Sequence, residues 1–227
     1  MMQREQQNML VTDTMKSSEI QKWQQIFSDY IHNLETADAA HDASHVQRVA
    51  ISALKFSAIE NANLEIVLPA VWLHDCVTVS KSSDLRSKAS SLSAQKAQQL
   101  LQQWNYPQQY IKEIKHAISA HSYSANIIPT TLEAKIVQDA DRIDSIGAIG
   151  VARMMMVGGK MDCCLYHEHD PFCSHREPND RQWTVDHFYS KLLKLNSGFH
   201  TQAAIKEAQR RHQYMLNFLK QLDSEIT

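Results

Sequence analysis

The sequence predicts an all-α protein, and three observations predict it. Gly and Pro, the strongest punctuators of a chain, number only five each in 227 residues, where average usage would give roughly 16 and 11. Apolar residues recur at helical spacing over most of the length. The alternation of β-branched and polar residues that marks a half-buried strand is almost absent. Few punctuators over such a length favour long helices with short connections.

The elements follow in order. Ser17 to Asn33 reads as a first helix, with Glu19 in its opening turn and Trp23, Ile26, Phe27 and Tyr30 on its face. After a polar break, Glu35 to Asp42, the set Val46, Val49, Ala50, Ala53 and Leu54 predicts a helix from near Ser44. Leu64 to Leu73 is almost wholly apolar and ends in His74-Asp75. The stretch Thr78 to Ser91 shows no periodicity. Ala97, Leu100, Leu101 and Trp104 mark another helix, which Tyr106-Pro107 ends. Ile111, Ile114 and Ile118 mark the next, which closes before Ile128-Pro129 because a residue ahead of Pro avoids the αR region.

Glu133 to Met156 reads as a buried central helix. At 100° per residue Val137, Asp141, Asp144, Ala148, Val151 and Met155 share one line, and isoleucines cover much of the remaining surface. Asp139 points away from that line. Gly158-Gly159 ends the helix, and Lys160 to Trp183 is a long polar loop, a lid candidate or a decorated insert. Thr184 to Leu195 and Thr201 to Leu222 complete the helices. No repeat or linker divides the chain. It reads as one domain over 1–227, with a core of about 17–157 and a C-terminal helical part of about 158–227.

Composition excludes several classes. A formal net charge of -2 with no block of like charge argues against a nucleic-acid surface. Met1 to Leu10 carries no apolar segment of the kind a secretory leader needs. No run approaches the ~20 apolar residues of a membrane span. Four cysteines, Cys76, Cys163, Cys164 and Cys173, lack a disulfide framework and fit reduced thiols in a cytoplasm.

Four pieces carry chemistry: His41-Asp42 with His45 and Arg48; His74-Asp75; His116 with His121; and Asp139, Asp141 and Asp144 on the central helix. Neutral imidazole and carboxylate oxygen both coordinate divalent ions at about 2.0–2.2 Å. A set without thiolate suits a catalytic ion better than structural zinc: Mn²⁺ or Mg²⁺ first, then Co²⁺, Ni²⁺ or Zn²⁺. Two carboxylates in a helix apolar nearly all round are costly unless they are paired, protonated or metal-bound. Singly, each piece is as readily an ordinary capped or surface residue. In combination they carry the reading.

In these motifs the chain resembles the HD-domain phosphohydrolases, in the YedJ/YpgQ-like bacterial branch. The likeness runs from His41 to about Leu195. It rests on HDASHVQRV, on the His-Asp pair closing an apolar helix, on HAISAHSYSA, on EAKIVQDADRIDSIGAIGVAR and on DHFYSKLLKL. It implies metal ligation by His45, His74, Asp75 and Asp141, which agrees with a helical wheel that puts Asp141 inward and Asp139 outward. It further implies hydrolysis of phosphate esters or anhydrides. In this branch that means pyrophosphohydrolysis of nucleoside triphosphates, (d)NTP giving (d)NMP and pyrophosphate. One departure stands out: the Glu that follows the His-Asp pair in some HD nucleotidases is absent from HDCVTVS.

The remaining roles stay open at this level. Asp75 is a candidate for orienting the attacking water as well as binding metal. Asp144 is a candidate base, or else an acceptor behind the ligands. His116 and His121 are candidate contacts for phosphate or a second metal, or else structural, and both face one site only if their helix ends near His121. Lys81, Arg86, Lys88 and Ser90 are candidate phosphate contacts, or a solvated loop. Arg48 contacts phosphate or pairs with Asp42. Lys191 contacts substrate or snorkels at the surface. Cys163, Cys164, His167, His169, Cys173 and His175 lack the paired spacing of a zinc knuckle and read as an ordinary polar loop. The expected partner is a small phosphorylated substrate, a nucleotide first, with neither nucleic acid nor membrane, and a homodimer is allowed. The alternatives are a phosphomonoesterase or 5′-nucleotidase, a catalytically silent HD-like signalling module, and an oxygenase with a dinuclear iron site.

Overall fold

A computed structural model of the chain describes residues 17–34, 43–79, 83 and 85–226. Nine α-helices occur among them, with no strand in those residues: α1 Ser17–His32, α2 Ala43–Glu60, α3 Leu64–Leu73, α4 Ala89–Gln103, α5 Ile111–His121, α6 Leu132–Ile143, α7 Gly147–Lys160, α8 Asp186–Ser190 and α9 Gln202–Ile226. The all-α expectation holds. One apolar cluster runs from Phe27 of α1 to Leu219 of α9. No helix among the described residues is long and apolar enough to cross a membrane.

The most enclosed helix is α3. Nine of its ten residues, Glu65 through Leu73, are buried, because it lies against α1, α2, α5 and α6 together. Its start is set by Asn63, whose side chain accepts from Glu65 N at 2.9 Å, so one of the donors left over at a helix start is satisfied. A helix apolar on every side has no polar face to give to water, and only the centre of a bundle suits it. The centre of this bundle is thus α3, and the expectation of one central helix over Glu133 to Met156 needs correcting.

That segment breaks. α6 ends at Ile143, Ile146 is extended (φ -127, ψ 167), and α7 begins at Gly147. Gly147 has φ +78, and a Cβ there would meet the Arg211 side chain at 2.9 Å, so both its backbone and its space call for glycine. Arg211 Nη1 also donates to Ile143 O at 2.7 Å, taking up a carbonyl at the end of α6. The helical wheel therefore fails beyond Asp144; Ala148, placed on its inner line, is exposed.

Asp139 points away from that line, but not to solvent. It is 1 % exposed and accepts from His200 N at 3.0 Å, Thr201 N at 2.9 Å and Thr201 Oγ1 at 2.8 Å. Glu60 Oε1 accepts from Ala203 N at 2.8 Å. Two carboxylates thus satisfy amides at the start of α9, where the helix dipole favours negative charge.

The segment 161–185 is irregular, as expected, but it is tied down as an insert. Trp183 pairs with Cys164 in an isolated bridge. Arg176 donates to Asp186 at 2.7 Å, and its guanidinium lies 4.5 Å from the centre of the Trp183 ring. Asp170 accepts from Ser174 N and His175 N, each at 2.8 Å. None of its cysteines or histidines joins a metal-holding group among the described residues. Beyond it, the helix expected over Thr184 to Leu195 divides at Lys191 (φ -140, ψ -60) into α8 and a 3-10 turn, Leu192–Asn196.

Nor does Gly158-Gly159 end α7, which runs on to Lys160. A Cβ on Gly158 would lie 2.2 Å from Thr184 Oγ1, so the glycine lets the helix meet the insert. Gly158→Ala is expected to cost about 1–3 kcal/mol through overpacking, read as a melting point lower by several degrees. Thr184→Ala in the same chain should restore part of the loss. An unchanged melting point for Gly158→Ala would show that the insert moves aside freely.

Candidate metal centre

Four helix ends meet at one place. His45 lies in the first turn of α2, His74 and Asp75 follow the last residue of α3, His121 is the last residue of α5, and Asp141 lies in the last turn of α6. Three of the four are helix C-termini, whose carbonyl ends carry partial negative charge and favour a cation.

Each imidazole is held by Nδ1. His74 Nδ1 bonds Val71 O at 2.7 Å, and His121 Nδ1 bonds Ile118 O at 2.7 Å, the same three-residue reach back to a helix-end carbonyl. A carbonyl only accepts, so both Nδ1 atoms carry the proton. His45 Nδ1 donates in the same way to Asp144 Oδ2 at 2.8 Å. In the neutral rings all three Nε2 atoms therefore present lone pairs, the tautomer that metal-binding histidines use.

Those lone pairs face carboxylates. His45 Nε2 and His74 Nε2 lie 3.4 and 3.8 Å from Asp141 Oδ1. His74 Nε2 lies 3.6 Å from Asp75 Oδ2, and His121 Nε2 lies 3.4 Å from Asp75 Oδ1. Two overlapping groups result, His45-His74-Asp141 and His74-Asp75-His121, each with its donor atoms within 4.8 Å of one another. His74 Nε2 is buried with no hydrogen-bond partner among the described residues. A buried lone pair set against carboxylate oxygens is unfavourable unless a cation lies between them. Donors that share an ion at about 2.1 Å stand roughly 3.0–3.4 Å apart, and the separations here are 3.4–3.8 Å. The residues fit a divalent ion.

The electrostatics ask for the same charge. Burial disfavours a charged His45, but its bonds to Asp141 and Asp144 outweigh that and raise it to about 9. Burial holds His74 below its ordinary value in spite of Asp75. For Asp141 burial works against the charge, yet His45, His74 and His121 bring it below the usual carboxylate range. Without a metal, a proton on His45 supplies the positive charge.

Asp144 is not placed as a base. It is 3 % exposed and accepts from Arg48 Nε at 2.7 Å, Arg48 Nη2 at 3.0 Å, Arg153 Nη1 at 3.3 Å and His45. Burial opposes its charge, but His45 and Arg48 hold its carboxyl far below the usual range, which leaves it a poor proton acceptor at neutral pH. It orients His45. Arg48, a candidate phosphate contact, is engaged in that bond; Arg153 joins it, and in sequence only its place in the segment after Asp144 points to it. Asp144→Asn should weaken divalent-ion affinity about 10–100-fold, the usual effect of losing a group behind a ligand. Calorimetric titration would read this, and wild-type affinity would deny Asp144 the role.

The other candidates separate. His116 does not join His121: its Nε2 meets Thr130, accepting from the backbone N–H at 3.0 Å. Arg86 and Ser90 line a cleft of about 140 Å³ with Asp75, His121, Ser122 and Asp141. Ser90 Oγ is turned to Ser119 O at 3.0 Å. Lys88 is exposed and does not line that cleft. Lys191 lines a different cavity, with Arg153. Lys81, His41 and Asp42 lie outside the described residues.

The sequence and the fold have counterparts among known proteins. Residues 42–146 match the HD domain family. The protein YpgQ of Bacillus subtilis (strain 168) is 32 % identical over 197 residues, covering 85 % of this chain and 88 % of its own. The crystal structure of B. subtilis YpgQ in complex with ADP is similar with a TM-score of 0.70 at 30 % identity, over 91 % of this chain and 96 % of that one. That of an HD-superfamily hydrolase from Bacillus thuringiensis has a TM-score of 0.71 at 32 % identity, over 91 % and 97 %. Sequence likeness over most of the length, the shared fold and a His/Asp cluster where helix ends converge lead to one conclusion: the chain belongs to the HD-domain family of metal-dependent phosphohydrolases.

Proposed function

We propose that the chain is a nucleotide pyrophosphohydrolase that cuts (d)NTP to (d)NMP and pyrophosphate, with a divalent ion held by His45, His74, Asp75 and Asp141. The observation that carries this reading is the convergence of imidazole Nε2 atoms and carboxylates beside an open cleft with Arg86 on its wall. YpgQ, a similar protein, has been crystallised with ADP, which favours a nucleotide over a simpler phosphate.

Bound there, the ion supplies Lewis acidity and offsets charge on the reacting phosphoryl group. The chain's own residues do the rest. The Nδ1 bonds of His45, His74 and His121 fix each ring, so little reorientation is needed at the moment of reaction. Asp75, 19 % exposed at the cleft and paired with His121, orients the attacking water and receives its proton. Arg86 holds the leaving phosphates in line, where positioning supplies much of the rate. Asp75 thereby fills the place of the absent glutamate.

With Mn²⁺ and a panel of nucleoside mono-, di- and triphosphates, the expected products are nucleoside monophosphate and pyrophosphate, resolved by chromatography. Orthophosphate as the sole product, or turnover of monophosphates alone, would replace this reading with a phosphomonoesterase.

A further inference from the structure

The last turn of α5 carries His121, and its carbonyls have no further turn to bond, because Ser122 is extended (φ -82, ψ 126). Side chains take three of the last four. Ile118 O accepts from His121 Nδ1 at 2.7 Å, Ser119 O from Ser90 Oγ at 3.0 Å, and Ala120 O from Gln138 Nε2 at 2.7 Å. Ser90 stands on α4 and Gln138 on α6, and both are buried. The end of α5 that bears His121 is thus gripped from two neighbouring helices.

The same helix, α4, also holds the chain beside Asp75. Ser93 lies one turn after Ser90 and is buried. Its Oγ accepts from Val77 N at 3.2 Å, and its carbonyl accepts from Cys76 Sγ at 3.5 Å. Two serines of one helix therefore fix the backbone just after Asp75 and just before His121, whose side chains stand 3.4 Å apart. Gln138 acts from the other side, one turn ahead of Asp141 on α6. The orientation of its amide is determined. Ala120 O only accepts, so the amide nitrogen faces it; Oε1 then faces His200, which donates from Nε2 at 2.6 Å. His200 is at an exposed position and fixes that amide from outside.

We propose that Ser90, Ser93 and Gln138 are positioning residues: together they form a clamp that sets the separation of Asp75 and His121 and so aims the Asp75 carboxylate at the attacking water. The proposal rests on the reading of Asp75 above and deepens it. Asp75 and His121 end different helices, so contacts between helices keep them in register, and these three side chains supply directional ones. A group that takes a proton must stand within hydrogen-bond reach of it, and a misplacement of about 1 Å can cost about 100-fold in rate. Ser90, a candidate phosphate contact by sequence, is here a brace for the helix behind His121.

The test uses Gln138→Met, which keeps length and bulk but removes both bonds, and Ser90→Ala, which removes one hydroxyl. With Mn²⁺, a nucleoside triphosphate and added pyrophosphatase, so that cleavage at either bond is counted, each should lower kcat about 10-fold or more and leave KM within about 3-fold. His200→Ala, at an exposed position, guards against a Gln138 variant that fails to fold. It should lose about 3-fold in kcat, and His200→Gln, which can still donate, should recover it. A second readout needs no metal: the ring signals of histidines in ¹H–¹⁵N NMR. Those of His121, assigned by their loss in His121→Gln, should shift or broaden in Gln138→Met and Ser90→Ala. Those of His116, on the same helix but bonded to Thr130, should stay. Unchanged His121 signals, equal disturbance of His116 and His121, or a rise in KM with kcat unchanged would overturn the proposal. Failure of the pyrophosphohydrolase reading looks different: orthophosphate appears without the added pyrophosphatase, while the effects on kcat and on His121 persist.

Discussion

Asp141→Ala is expected to strip the protein of its divalent ion and lower kcat/KM by about 1,000-fold or more, with a smaller fall in the melting point of the metal-free protein than Asp139→Ala gives. The argument begins with position. Asp141 Oδ1 is the oxygen that His45 Nε2 and His74 Nε2 both approach, so removing it takes away the anionic member of that three-residue group. Groups behind a metal ligand already account for 10–100-fold in affinity or activity, and a ligand should account for more. Stability is another matter. The Asp141 side chain is 30 % exposed, but in the metal-free protein its carboxylate faces the buried, protonated His45 Nε2, so its deletion should cost about 1–3 kcal/mol. Metal content after dialysis, by mass spectrometry, and a thermal melt in chelator separate the two effects. Wild-type metal retention would remove Asp141 from the ligand set.

Much of the fold was readable, for a physical reason. Helix α3 announces itself because an apolar run of that length can only be buried, and α5 because Ile111, Ile114 and Ile118 mark one face. Convergence of His45, His74, Asp75 and Asp141 was expected from motif resemblance rather than periodicity, since nothing in the spacing of residues 29 or 66 apart shows that they meet. The break after Asp144 has one signal in the sequence, Gly147. The Ile-rich pattern on either side reads as one helix, while the positive φ of Gly147 and the reach of Arg211 to Ile143 O decide otherwise. His121 was rightly tied to the end of its helix, but the same condition does not bring in His116, whose bond to Thr130 depends on a loop that the pattern does not describe. In sequence Asp144 reads as a candidate base because a carboxylate one turn from a ligand looks free there. Its engagement by Arg48 and Arg153, 96 and 9 residues away, exists only in three dimensions.

Asp139 marks the sharpest difference between two aspartates two positions apart, and Asp139→Ala should have the largest effect on stability. Its carboxylate receives the His200 and Thr201 amides and the Thr201 hydroxyl in a site 1 % exposed. Alanine would leave those donors facing an apolar gap. Hydrogen bonds to a charged group are worth about 1.5–3 kcal/mol each, and a buried donor left unsatisfied costs about 1–3 kcal/mol. These contributions overlap, so a net loss of about 3–5 kcal/mol is expected. For a chain of this size each kcal/mol lowers the melting point by roughly 2–4 °C, which gives a fall of about 6–20 °C. Asp139→Asn keeps one acceptor oxygen but turns an NH₂ towards the donors, and it should fall between the two. Below its lowered melting point Asp139→Ala should still retain the metal, because Asp139 faces the start of α9 while Asp141 faces the imidazoles. Differential scanning calorimetry beside metal analysis reads both quantities on one sample. A melting point within 2 °C of wild type would mean that the start of α9 is held by Glu60 without Asp139. Loss of metal in folded Asp139→Ala would mean that the two faces of α6 are coupled through the backbone of its last turn.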